Sequence, residues 1–170
     1  MKIREIKAKS ILSKSKVYDY ALNPYVGCQH ACVYCYAKFM KRFTGHTESW
    51  GEFVDVKINA PELLDHEVKK KRGGRVWISG VCDPYQPLEK RYMLTKRCLD
   101  ILTDNGWPFT VQTKSSLVLR DIGTLKRSKD AEVGFTITTA DEKMRRKFEP
   151  GAPPLKKRIE ALAKLPYNNI

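Results

Sequence analysis

Three cysteines within eight residues, spaced CxxxCxxC over Cys28, Cys32 and Cys35, limit the folding of this chain more than any other feature. A loop that gathers three thiols must be short, strongly curved and braced by its surroundings. The chain holds five cysteines, an odd number, which argues against a disulfide framework and for metal binding or redox chemistry. Three thiolates on one short loop can grip three irons of a 4Fe–4S cubane. With no fourth cysteine in the motif, the fourth iron keeps an exchangeable position for a small molecule bearing amino and carboxylate groups. Gly27 lets the backbone curl, and nearby amides soften the cluster's charge. A structural zinc site is the rival reading, with His30 or Cys82 as a further ligand. A closed electron-transfer cluster would need a fourth cysteine and another spacing.

Around this loop, short β-rich runs alternate with amphipathic ones, the pattern of a parallel α/β fold. At 170 residues the chain reads as a single domain, 1–170. Strands are expected over residues 17–22, 75–79, 108–114 and 132–138, with a weaker strand-like run, read as an insertion, over 53–58. Helices are expected over 33–42, 60–71, 89–104, 117–127, 141–148 and 155–165. Asn59 is read as a cap for the second of these, with Pro61 in its first turn. Asn105-Gly106 is read as the stop of the third.

Within the strands, Val133, Phe135 and Ile137 alternate with Gly134, Thr136 and Thr138. Phe109, Val111 and Thr113 alternate with Thr110, Gln112 and Lys114, and Val76 and Ile78 with Trp77 and Ser79. One face can pack on helices while the other stays small or polar. A closed barrel would fill its lumen with branched apolar side chains. The polar face therefore points to a partial barrel enclosing a site.

The net charge of +13 attracts polyanions, nucleic acid included, through a sequence-independent field. A merely solvated basic surface is the plainer reading. The runs Lys69-Lys70-Lys71-Arg72, Arg145-Arg146-Lys147 and Lys156-Lys157-Arg158 carry no interleaved aromatic residues. Apolar stretches are strand-sized, so no membrane span is expected. A cytoplasmic setting, where thiols stay reduced, is the expectation.

With an aromatic residue, Tyr34, before its last cysteine, the motif resembles the signature of the radical S-adenosylmethionine superfamily. Residues 10–36, with Asn23-Pro24-Tyr25 before the first cysteine, are similar to its spore photoproduct lyase-like branch, also called DNA repair photolyase-like. The runs Ser79-Gly80-Val81-Cys82-Asp83-Pro84-Tyr85-Gln86-Pro87 and Phe148-Glu149-Pro150-Gly151-Ala152-Pro153 extend the likeness to about Leu165. The resemblance implies Cys28, Cys32 and Cys35 as ligands of a 4Fe–4S cluster, with S-adenosylmethionine as second cofactor. It implies reductive cleavage to a 5′-deoxyadenosyl radical that abstracts hydrogen, and a flavodoxin- or ferredoxin-type protein as electron donor.

It further implies Tyr34 beside the adenine and Ser79-Gly80 against the methionine amine. No Gly-Gly-Glu stands there, which leaves Asp83 as the nearest carboxylate. Turn capping is the structural alternative for Asp83. Lys114 would meet the methionine carboxylate, and Thr136 that carboxylate or the ribose. All lie at C-terminal strand ends, where barrel enzymes place their chemistry.

Family members continue into further strands that complete a six-stranded partial (β/α) barrel. The resemblance thus implies about four of the six parallel strands here, with the C-terminal part of the barrel missing. It also implies an open edge that favours a partner chain completing the barrel. Two alternatives stand beside a lyase-like radical enzyme: a catalytically disabled fragment, and a small basic metal-stabilised module that binds nucleic acid. Cys98, with Leu94, Ile101 and Leu102 at core spacing, is expected in the core. His30 is expected in a local turn role, and His46 and His66 on the surface.

Overall fold

The computed structural model describes residues 1–165, built around a five-stranded sheet in the order β2 (Leu12–Lys14), β3 (Tyr20–Leu22), β6 (Val76–Ile78), β7 (Phe109–Thr113), β8 (Ala131–Phe135). From β3 to β8 the four strands run mutually parallel, and β2 closes the other edge antiparallel to β3. The sheet is thus an open α/β layer, as the polar inner faces require, and no closed barrel forms among the described residues. A smaller sheet joins β1 (Lys2–Ile6), β5 (Phe53–Lys57) and β4 (Tyr25–Val26), with β1 parallel and β4 antiparallel to β5. The run read as an insertion is therefore the centre of a second sheet, with Phe53, Val54 and Val56 fully buried.

Register explains the core. Leu22 pairs with Ile78, Ile78 with Val111 and Val111 with Val133, which lays one apolar row across four strands. That row packs on α1 (Ala60–Val68), α3 (Leu94–Asp104) and α4 (Ile122–Arg127) through Leu64, Leu99, Leu102 and Leu125. Each such side chain contributes roughly 1.5–3 kcal/mol by leaving water. Cys98 is fully buried among them, as its spacing predicts. On the opposite face Gln112 is exposed and Trp77 half-exposed.

Several elements depart from the sequence reading. The helix expected over 33–42 is the 3₁₀ helix Tyr36–Phe43. Its cause is local: Ala31 N–H bonds Cys28 O, Cys35 N–H bonds Cys32 O and Lys38 N–H bonds Cys35 O, so the chain leaves the cysteine loop in turns of three. The helix expected over 89–104 is two, α2 (Glu89–Tyr92) and α3, broken at Met93 in the left-handed region (φ 52°). That over 117–127 opens as the 3₁₀ turn Ser116–Asp121 before α4. Asn59 makes no capping bond; its amide exchanges two hydrogen bonds of 2.9 Å with the Ala8 backbone. Two last helices follow β8, α5 (Glu142–Phe148) and α6 (Leu155–Leu162).

Candidate functional site

The cysteine loop follows β4 directly. Gly27 takes φ +91°, and a Cβ there would lie 2.3 Å from the Phe53 carbonyl oxygen, so only glycine fits the turn into the loop. Two distant segments then hold the loop. From one side Gln86 accepts the Gln29 N–H (2.9 Å) and donates to Gly27 O (3.3 Å), while Leu88 N–H bonds the Gln29 side chain (2.6 Å). From the other, Phe148 O accepts the Val33 N–H (2.9 Å) and Gly151 N–H bonds His30 O (3.0 Å). The two runs that carried the family likeness are thus the braces of the cysteine loop.

All nine residues singled out in the sequence line one cavity of about 250 Å³: Cys28, Cys32, Cys35, Tyr34, Ser79, Gly80, Asp83, Lys114 and Thr136. Cys82 and His30 line it too. The cysteines are free thiols; Cys28 and Cys32 are buried and Cys35 is half-buried. Burial pushes the Cys28 thiol well up, with the Asp83 and Cys82 charges adding, while backbone N–H groups of His30 and Asp83 act in the opposite sense. Burial also raises the Cys32 thiol, against the pull of Lys114. Iron binding would release such protons as the thiolates form.

This donor set fits a cubane better than a single ion. A structural zinc is closed by four protein ligands around one ion, and among the described residues no group of three or more His, Cys, Asp or Glu is placed to hold a single metal ion. A cubane gives each thiolate its own iron, which asks for three thiols around one cavity. Beside them Ser79, at φ 62°, buries its hydroxyl in the cavity wall next to the Cys82 thiol.

Asp83 is more heavily engaged than a turn cap. It accepts from Tyr85 N–H (2.9 Å), the Thr113 hydroxyl (2.6 Å) and Lys114 N–H (2.7 Å), and its Oδ2 faces His30 Nδ1 at 3.3 Å. Burial works against ionisation, yet His30, Thr113 and Lys114 hold the carboxyl down to about 2. His30 is accordingly a buried partner of Asp83.

Glu149 was not singled out, although its run was. It is fully buried, paired to Arg158 at 2.6 Å, bonded by the Tyr34 and Thr138 hydroxyls, and 3.9 Å from Lys114 Nζ. Burial would raise its carboxyl, but Tyr34, Arg158 and Thr138 keep it below the ordinary value. Glu149 thus sets where Tyr34 and Lys114 stand at the cavity wall. A buried carboxylate beside a buried arginine is a signal visible only once α6 is placed. Thr136 continues the ladder past β8, its N–H bonding Thr113 O (2.9 Å) and its carbonyl taking Arg158 (3.0 Å).

His46, expected on the surface, is buried between Glu48 (3.0 Å) and Asp55 (2.9 Å) and stacks on Phe53. His66 lies in the last turn of α1, as an exposed residue. Among the described residues no helix is long and apolar enough to cross a membrane.

The family model described as Radical SAM superfamily matches residues 22–170. An uncharacterized protein of Methanocaldococcus jannaschii is 38% identical over 172 residues, covering 100% of this chain and 64% of the relative. A spore photoproduct lyase complexed with dinucleoside spore photoproduct superposes with a TM-score of 0.74 at 16% identity, over 96% of this chain and 47% of the lyase. A variant of that lyase with bound AdoMet and dinucleoside spore photoproduct gives 0.74 at 15% identity, over 96% and 46%. The likeness to the lyases is one of fold, and the chain spans less than two thirds of the length of each of these proteins.

Proposed function

This chain belongs to the radical S-adenosylmethionine superfamily, and from that premise we propose that Cys28, Cys32 and Cys35 hold a 4Fe–4S cluster whose open iron binds S-adenosylmethionine. When bound and reduced by a one-electron donor of flavodoxin or ferredoxin type, this pair supplies a 5′-deoxyadenosyl radical for hydrogen abstraction. The observation that carries the reading is the convergence of the three thiols with six further residues on one cavity.

The chain's own residues position the cofactor and keep water out. Lys114, at the end of β7, offers a cation toward the methionine carboxylate, with Glu149 3.9 Å from its Nζ limiting its reach. The buried Ser79 hydroxyl and the Gly80 backbone form the wall for the methionine amine. Asp83, its oxygens already engaged, acts there mainly by fixing the Lys114 backbone and His30. Tyr34, about half exposed and anchored to Glu149, offers its ring and backbone to the adenine. Thr136 faces the same space from the β8 side, toward the carboxylate or the ribose.

The test is anaerobic reconstitution with iron and sulfide, then reduction with S-adenosylmethionine present. We expect about four irons per chain, the stoichiometry of a cubane, and formation of 5′-deoxyadenosine; replacing the three cysteines by alanine should abolish both. A chain that takes up zinc and no iron-sulfide cluster would overturn the reading. Cluster assembly without cleavage would leave a cofactor-binding protein lacking turnover.

A further inference from the structure

The 3₁₀ helix Tyr36–Phe43 turns an unusual face to water. Of its eight residues only Ala37 is buried, while Tyr36, Phe39 and Phe43 are 64%, 43% and 68% exposed. Turns of three bring positions i and i+3 into line, so Tyr36, Phe39 and Arg42 share one ridge. The Arg42 guanidinium lies 5.4 Å from the Phe39 ring and 4.9 Å from the Phe43 ring. Lys38 and Lys41 flank this ridge, bonded to the carbonyls of Val33 (2.6 Å) and Thr47 (2.9 Å) and, among the described residues, to no carboxylate.

The charge here is one-sided. No Asp or Glu occurs between Asp19 and Glu48. The next carboxylates along the chain are engaged elsewhere, Glu48 and Asp55 with Lys2, Arg4 and His46 and Glu52 with the Ser49 N–H. A shallow groove of about 540 Å³ runs past Lys38, Phe39, Lys41 and Arg42. Tyr36 also lines the cysteine cavity, so the face leads to the cavity mouth.

Exposed apolar patches rimmed by polar groups mark interaction surfaces. Flat rings alternating with uncompensated cations suit a ligand that carries flat rings and anions in alternation. Single-stranded nucleic acid is that ligand: bases stack on aromatic side chains while cations track the backbone. A lipid surface would instead take an amphipathic helix with cations and apolar residues on opposite faces, whereas here Arg42 stands on the ridge of Tyr36 and Phe39. We propose that Tyr36–Phe43 and its groove bind single-stranded nucleic acid, with bases on Phe39 and Phe43 and phosphates on Lys38, Lys41 and Arg42. Delivery of a strand to the cavity rests on the function proposed above; the binding itself does not.

The test uses the full chain, before and after cluster reconstitution, with fluorescein-labelled oligodeoxythymidylate or oligouridylate followed by anisotropy across a salt series. Base stacking is worth roughly 1–3 kcal/mol per base, so F39S/F43S should weaken binding about tenfold or more with an unchanged salt slope. K38Q/K41Q should lower the slope by about 1.4, at ~0.7 per phosphate contact. Inorganic polyphosphate should bind the wild type and F39S/F43S equally. Both ring substitutions are at exposed positions, and matching thermal melts would confirm intact folding. Oligonucleotide binding that is absent at low salt, or that ignores F39S/F43S, would overturn the proposal even if the cluster assembles. Ring-dependent binding in a chain that assembles no cluster would uphold it while removing the catalytic reading.

Discussion

A methyl group on Gly151 would lie 2.1 Å from the Gln29 carbonyl oxygen and 3.1 Å from the His30 Cα. The tolerance is that small because the run after α5 lies directly against the cysteine loop, with the Gly151 N–H bonded to His30 O. Gly151→Ala should therefore destabilise the fold by about 1–3 kcal/mol, as overpacking does. It should also lower the iron bound per chain after reconstitution. Thermal melts with iron analysis check this, and an unchanged iron content would show that the loop holds its shape without the clamp. The three cysteines were legible because their spacing alone states what they need. Glu149 and Gly151 were visible only as members of a run, since their work is done across more than a hundred residues of chain. His46 misled for a different reason: its partners Glu48, Phe53 and Asp55 are close in sequence, but the turn into β5 that folds them around its ring carries no periodic signal.

Among the elements, the break between α2 and α3 shows how tertiary contacts overrule periodicity. Residues 89–104 carry a continuous helical pattern, yet Glu89 is fully buried and turns back on the chain. Its carboxylate accepts Thr95 N–H (3.0 Å) and Lys96 N–H (3.1 Å), the Tyr25 hydroxyl (2.5 Å) and Arg120 (2.8 Å). The carboxylate thus caps α3 from inside the preceding turn, and Met93 absorbs the bend at φ 52°. A left-handed non-glycine residue costs roughly 1–2 kcal/mol. Met93→Gly should accordingly leave stability unchanged or raise it by up to about 1 kcal/mol in chemical denaturation. A loss of more than that would mean that the Met93 side chain packs more than it strains. Strand existence was legible for β3, β6, β7 and β8, the last three because each alternates cleanly over a buried row. β1 and β2 were not legible, because they lie mostly exposed and show no alternation of buried and exposed residues.

At the scale of the whole molecule, carboxylates tie together segments distant in sequence. Glu67 on α1 accepts Ile11 N–H (2.8 Å) and Leu12 N–H (3.1 Å) and pairs with Lys71 at 2.7 Å, fixing the β2 edge of the sheet to the helix layer. Burial would raise its carboxyl, but Lys71 and the two backbone donors hold it below the ordinary 4.5. Asp55 ties β5 to Arg4 of β1 and is likewise lowered, its burial outweighed by Arg4 and His46. A carboxyl lowered by folding adds stability that is complete above its unfolded value and fades as pH falls through the folded one. The cluster-free chain should therefore hold level stability near neutrality and lose it progressively below about pH 4.5, where unfolded glutamates take up protons. Glu67→Gln keeps the shape but removes the charge. It should cost about 1.5–3 kcal/mol near neutrality, the worth of hydrogen bonds to a charged group, and should flatten the acid limb of the curve. Denaturation midpoints of both proteins between about pH 3 and pH 7 decide the matter: parallel curves would show that the tie between β2 and α1 is made by packing and not by the Glu67 charge.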